Sequence, residues 1–324
     1  MNSYSVKRIN RVSGLTLGFL LDRLFADPSQ YHPVAFFGRR AERLESCIYA
    51  SSRPRGVLYY LISSGVPTAA AVMIQRAGRS RPLLHIGLLA AGTWAVLGGT
   101  TLQRVGREME QRLRDGDLVR ARELVPSLCS RDPQYLDTEG IVRATVESLA
   151  ENTSDATIGA LFWGGLAGLP GLLWYRATNT LDAMVGYRSA QYHNFGWASA
   201  RMDDVANFVP ARLTALLTAA IVPHRAQEIL HLCRRDARAH PSPNAGVVEA
   251  AYAGALGITL GGETIYDYGV ENRPRLGNGP APTCEDLAAA VRLSGNLQWA
   301  GLCVALILAA VTPGLLGEAP RRCR

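Results

Sequence analysis

A chain of 324 residues is long enough for one large or two small domains and for a buried core. Hydrophobic residues make up 48% and charged residues 19%, with a mean hydropathy of +0.04; this excludes disorder, collagen and a disulfide miniprotein, and points to membrane-spanning stretches mixed with polar ones. The net charge of +7 is an arginine charge, because Lys7, in the polar N-terminal segment, is the single lysine among 34 basic residues, which speaks against a P-loop and against Schiff-base chemistry and leaves arginine forks to hold phosphate or carboxylate.

Taken in chain order, the first apolar run, 12–21, is short and ends at Asp22 and Arg23 without a small-residue cleavage site, so no cleavable signal peptide is expected. Asp22, Asp27 and His32 follow within 20–38; two acids and a histidine so close are a candidate site, and the plainer reading is a helix end with an Asp-Pro turn. Windows 56–75 and 82–102 lack charge over about the length a bilayer needs, roughly 20 residues. Arg76, Arg79 and Arg81 separate them, which predicts a helical hairpin. The charge-dense 104–122 reads as a solvated helix.

Segment 143–155, RATVESLAENTSD, sets Arg143, Glu147 and Glu151 on one helical face, with Asp155 a turn further. A solvated ion-pair stripe is the plain reading. However, this stripe runs into the charge-free window 157–175, where carboxylates are costly unless paired or bound to a cation such as Mg²⁺. Segment 175–189 groups Tyr175, Asn179, Asp182 and Gly186 on one face, with Arg176 and Arg188 near its ends. Segment 195–213 carries Asp203, Asp204, Asn207 and Arg212, and its Pro210 frees the carbonyl of Ala206. It enters a weaker apolar window, 208–223, that contains Arg212.

The longest polar stretch, 224–298, presents Arg238, His240, Ser242 and Asn244 on a Pro-rich loop before an Ala-rich helix over 247–256. Arg273 and Arg275 follow, and Thr283 with Glu285-Asp286 reads as a helix start leading to the last apolar window, 299–316. The six cysteines are widely spaced, with no CxxC pair, and the six histidines show no HExxH spacing, so unpaired thiols and no zinc site are expected. The Arg-rich segments up to Arg55 and 103–156 are placed in the cytoplasm by the positive-inside rule.

Window 157–175 poses a topological problem. A single span would put the polar segments on its two flanks on opposite sides of the membrane. The Gly168-Leu169-Pro170-Gly171 break at its middle interrupts a helix, so the window is expected to form a re-entrant hairpin whose ends face one compartment.

These segments resemble the CbiB/CobD-type adenosylcobinamide-phosphate synthases. The resemblance covers residues 12–295 and rests on Asp22, Asp27-Pro28, His32-Pro33, Ser130-Arg131-Asp132, RATVESLAENTSD, YRATNTLDAMVGY, FGWASARMDDVANFVPARL, DARAHPSPNAG and RPRLG at 273–277. The chain departs from the family at Ala156 (usually Gly), Gly159-Ala160 (commonly Ala-Pro), Ala183 (usually Ser) and Val247 (often aromatic).

The resemblance implies an all-α, polytopic integral membrane enzyme of the cell membrane, with about five apolar helical segments in one domain over 1–324 and a cytoplasmic active site. It implies amide ligation of adenosylcobyric acid to 1-aminopropan-2-ol or its phosphate, with ATP and Mg²⁺, a corrinoid as substrate, lipid as surroundings and no nucleic acid. A partner subunit or homo-oligomer stays open. On this reading Glu147, Glu151, Asp182, Asp203, Asp204, His32 and His240 are candidates for catalysis, and Glu151, Asp155, Asp182 and Asp204 for metal. Arg143, Asn152, Arg176, Asn179, Arg188, Asn207, Arg212, Arg238, Ser242, Asn244 and Arg273 would hold nucleotide or substrate. The alternative is a polytopic transporter or channel subunit, which broken helices and polar residues in apolar windows also suit.

Overall fold

The computed structural model describes residues 3–27, 32–129, 131–266 and 269–312. Pro28, Ser130, Cys323 and the end of the last apolar window lie outside them. In chain order the helices are α1 (Ser3–Phe25), α2 (Pro33–Ile48), α3 (Arg53–Ala77), α4 (Pro82–Val96), α5 (Gly99–Arg114), α6 (Leu118–Leu124), α7 (Thr138–Thr153), α8 (Ala160–Ala167), α9 (Leu169–Val185), α10 (Tyr192–Phe195), α11 (Trp197–Ile221), α12 (Ala226–Arg235), α13 (Ala245–Leu256) and α14 (Cys284–Val311). One antiparallel hairpin, β1 (Leu260–Tyr266) and β2 (Gly269–Leu276), interrupts this all-helical order. Four helical stretches are long and apolar enough to cross a membrane: Arg53–Ala77, Pro82–Arg114, Trp197–Ile221 and Cys284–Val311. The chain is an all-α polytopic membrane protein. The five described cysteines are unpaired.

The chain forms two compact units. The first comprises residues 1–98, 159–206 and 301–324. Here α1 lies along α4 through Gly14 and Gly18, four apart, the small-residue spacing that lets helix backbones approach closely. A Cβ on Gly18 would stand 2.5 Å from the carbonyl oxygen of Ala90.

The 157–175 window does break at its middle. Gly168, at φ 69° and ψ −145°, turns the chain between α8 and α9, and the arms pack so closely that a Cβ on Gly171 would lie 2.2 Å from the Trp163 carbonyl oxygen. The turn leaves helix-end groups without helical partners. Gln75 supplies one, its Oε1 accepting the Leu169 N–H at 3.0 Å. Arg11, buried in α1, donates to the carbonyls of Gly165 and of Thr312 at the C-terminal ends of α8 and α14, where a cation is favoured. The Ala206 carbonyl freed by Pro210 is taken by Trp163 Nε1 at 3.0 Å. At Gly159 the Tyr175 hydroxyl fills the space, 2.2 Å from where a Cβ would be.

The second unit comprises residues 99–158 and 207–300. Met109, Ile141, Leu149, Tyr252, Leu287 and Leu297 form the centre of its core, from α5, α7, α13 and α14. A chain of buried hydroxyls and amides runs through it: Thr153 Oγ1 to Ser294 Oγ at 2.6 Å, Gln298 Nε2 to Ser294 Oγ at 3.1 Å and to the Gly99 carbonyl at 3.2 Å. Each satisfies another, as buried polar groups must.

Candidate active site

The second unit gathers five segments around one buried charged cluster. Helix α7 starts at Asp137, whose carboxylate accepts the Gly140 N–H at 2.7 Å, and its register brings Glu147 inward. Glu147 is 3% exposed. It is ion-paired to the equally buried Arg131, accepts the Gly261 N–H at 2.7 Å, and meets Arg273 Nη1 at 3.4 Å. Burial alone would push this carboxyl up, but the guanidiniums of Arg131 and Arg273 and the Gly261 amide hold it below the usual range.

Arg273, within β2, also reaches Glu249 Oε1 at 3.3 Å and the Nε2 of His240. Burial, reinforced by the Glu147 charge, pushes the Glu249 carboxyl well above its usual range. Burial and then the Arg273 charge bring His240 down to about 4, so it is neutral at pH 7. Nδ1 lies 3.2 Å from the Ser242 carbonyl and accepts the Ser242 N–H at 3.1 Å, so the backbone of Ser242 fixes the other edge of the ring.

The loop carrying His240 is shaped locally. Gly246 leaves room for the imidazole, whose Cβ is 2.4 Å from where a Gly246 side chain would begin. Ser242 Oγ accepts the Ala245 N–H at 3.1 Å at the start of α13. Arg212 secures the same loop, donating to Asn244 Oδ1 at 2.6 Å and the Pro243 carbonyl at 3.1 Å, with its guanidinium 3.8 Å from the Phe208 ring centroid.

Several sequence expectations acquire different surroundings. Glu147, expected at a metal or a phosphate, is caged by two arginines. Arg212, expected at a phosphate, binds the 243–244 loop. Arg143 pairs with Glu139 at 3.6 Å. Asp155 does not continue the α-helical face of Glu147 and Glu151, because residues Ser154–Gly159 are π-helical and re-aim the side chains that follow. Glu151 is exposed, and Asn152 donates back to the Ser148 carbonyl at 3.0 Å. Arg238 is exposed and Asn207 buried.

The remaining expected residues belong to the first unit. Asn179 Nδ2 donates to Asp203 Oδ1 at 3.4 Å, uniting two of the expected motifs. Asp204 meets Arg201 at 3.4 Å, and His32 Nε2 lies 3.4 Å from Asp27 while its Nδ1 accepts the Val34 N–H. Arg176 and Asp182 are half-buried, Arg188 is exposed and Asp22 is buried. Among the described residues, no group of three or more His, Cys, Asp or Glu could hold a metal ion.

Arg131 and Glu249 are the cluster members to which sequence reasoning gave no role. Arg131 is 16 residues from Glu147, and Arg273 is 126 away; no spacing rule links such positions.

His240 makes stability depend on pH. Its folded value lies below the unfolded one of about 6.5, so the unfolded chain takes the proton first. The stabilisation is complete above about pH 6.5 and is lost as pH falls toward 4, by roughly 3 kcal/mol. Thermal unfolding followed from pH 7 to pH 4 should show this slope, and H240Q should flatten it; an unchanged slope in H240Q would exclude His240 as its source.

The sequence profile of the family described as CobD/Cbib protein matches residues 15–294. The chain is 47% identical to the Cobalamin biosynthesis protein CobD of Mycobacterium tuberculosis over 302 residues, 92% of this chain and 96% of the relative. It is 42% identical to that of Chromobacterium violaceum over 311 residues (93% and 97%) and 37% identical to that of Geobacter metallireducens over 305 residues (92% and 95%). No solved structure matches it.

Proposed function

The chain belongs to the CobD/Cbib family, and we propose that within cobalamin biosynthesis it forms the amide bond between the free propionate carboxylate of adenosylcobyric acid and the amine of 1-aminopropan-2-ol or its O-phosphate. The observation that supports this most is the convergence of the 131, 147–151, 240–249 and 273 segments on one charged cluster, with Glu151 exposed beside it.

A carboxylate and an ammonium do not condense unaided, so the acid needs activation and the amine must lose a proton before it attacks. ATP as a substrate would supply the activating phosphoryl group. Mg²⁺ would neutralise charge on the phosphates; it keeps several waters and needs only one or two protein carboxylates. Half-buried Asp155, carried on the π-helical turn, would hold the ion. Glu147 and neutral His240 are engaged with Arg273 and position that guanidinium. The proton of the attacking amine therefore falls to an accessible carboxylate, and Glu151, exposed beside the cluster, takes that role.

The test is product formation by the purified full chain from adenosylcobyric acid, aminopropanol phosphate, ATP and Mg²⁺. E151Q is expected to reduce turnover about a hundredfold or more, and D204N tests the acids of the first unit in the same assay. Full activity in E151Q would remove Glu151 from the site. No substrate-dependent ATP turnover in well-folded wild-type protein would favour the transporter reading.

A further inference from the structure

Helices α2 and α3 diverge from the short 49–52 connection and leave a groove of about 420 Å³ between them, within the size range of ligand sites, roughly 300–1,000 Å³. Phe36, Phe37 and Leu44 of α2 face Ile62, Val66 and Pro67 of α3 across it. Phe36 is 53% and Val66 65% exposed. Large side chains this exposed beside a membrane-crossing helix need an apolar cover.

The groove is not uniformly apolar. Pro67 has no N–H, so the carbonyl of Ser63, one turn earlier, lacks its helical donor. The Ser63 hydroxyl is 93% buried, lines the groove, and has no hydrogen-bond partner. At the same level Arg40 borders the groove, its guanidinium 5.0 Å from the Phe36 ring centroid. Arg39 and Arg43 on the same helix are also exposed. Three arginines, Arg39, Arg40 and Arg43, outnumber Glu42 and Glu45 on α2, so the helix bordering the groove carries a net positive charge that favours anionic headgroups.

We propose that this groove is a binding site for one anionic phospholipid of the bilayer. An acyl chain lies between Phe36, Val66 and Pro67, and the phosphate meets Arg40. The Ser63 hydroxyl donates to a glycerol-ester oxygen and satisfies its own buried group. A zwitterionic lipid would fill the same apolar space, but its choline would place a second positive charge beside Arg40. The groove should therefore discriminate by headgroup charge. This site is separate from the proposed amide-forming chemistry and stands if that proposal fails.

The test uses the full chain reconstituted in vesicles of equal phosphatidylglycerol and phosphatidylcholine, extracted in detergent, washed, and weighed by native mass spectrometry. One bound phosphatidylglycerol per chain is expected, preferred about fivefold over phosphatidylcholine, the discrimination one basic residue gives at an anionic surface. R40Q, altered at an exposed side chain, should keep the fold and lose the preference. V66W should fill the groove and retain neither lipid. Equal retention of the two lipids by wild type, unchanged preference in R40Q, or a protein partner occupying the groove in place of lipid would each overturn the proposal.

Discussion

Replacing Glu147 by alanine should destabilise the chain by about 3–5 kcal/mol, the typical cost of leaving a buried ion pair without one partner. The size follows from what Glu147 holds. Arg131 is buried with it, Arg273 leans on it, and the Gly261 amide donates to it. Removing the carboxylate leaves a guanidinium and an N–H buried without their acceptor. E147L combined with R131M should recover part of the loss, because an apolar pair of similar volume carries no desolvation cost. Denaturant or thermal unfolding in detergent measures both variants. A loss under about 1 kcal/mol in E147A would mean that water, and not the arginines, satisfies this carboxyl. Turnover should fall in the single variant at any temperature, since Arg273 loses one of the groups that fix its position.

Substituting alanine for Gly168 is expected to cost about 1–3 kcal/mol, the strain of an L residue forced into a glycine-only backbone region. Gly168 has φ 69° and ψ −145°. The new Cβ would also start 2.5 Å from Gln75 Oε1, the atom that accepts the Leu169 N–H. Two effects therefore act at one turn: backbone strain and the loss of a helix cap. Q75L removes the cap alone and should cost about 1 kcal/mol. Comparing the two variants by thermal unfolding separates the contributions, and equal losses in both would assign the whole effect to the cap.

Elements whose cause is local were legible in the sequence. The Gly-Pro break at 168–171 is a backbone property, so the turn between α8 and α9 follows from composition alone. The Ala206 carbonyl freed by Pro210 is likewise a local consequence, although only packing shows that Trp163 takes it. The same limit applies to charge. A 3.6-residue period places Glu147 and Glu151 on adjacent turns, but it does not say that the first turns inward to two arginines while the second stays exposed. Nor does it foresee the π-helical turn that moves Asp155 off their face. The close approach at Gly14 and Gly18 came to light only with their partner α4 in place.

The sequence by itself determined a chain of apolar spans with polar segments at their ends, a positive charge that is arginine but for Lys7, and the family, because hydropathy, composition and motif order are additive along the chain. Tertiary structure alone decided which charges meet. Arg131, Glu147, His240, Glu249 and Arg273 come together because α7, α13 and the β1–β2 hairpin pack around one core. An ionisable group in low dielectric is governed by its neighbours in space, and those neighbours lie too far away in sequence for any periodicity to connect them.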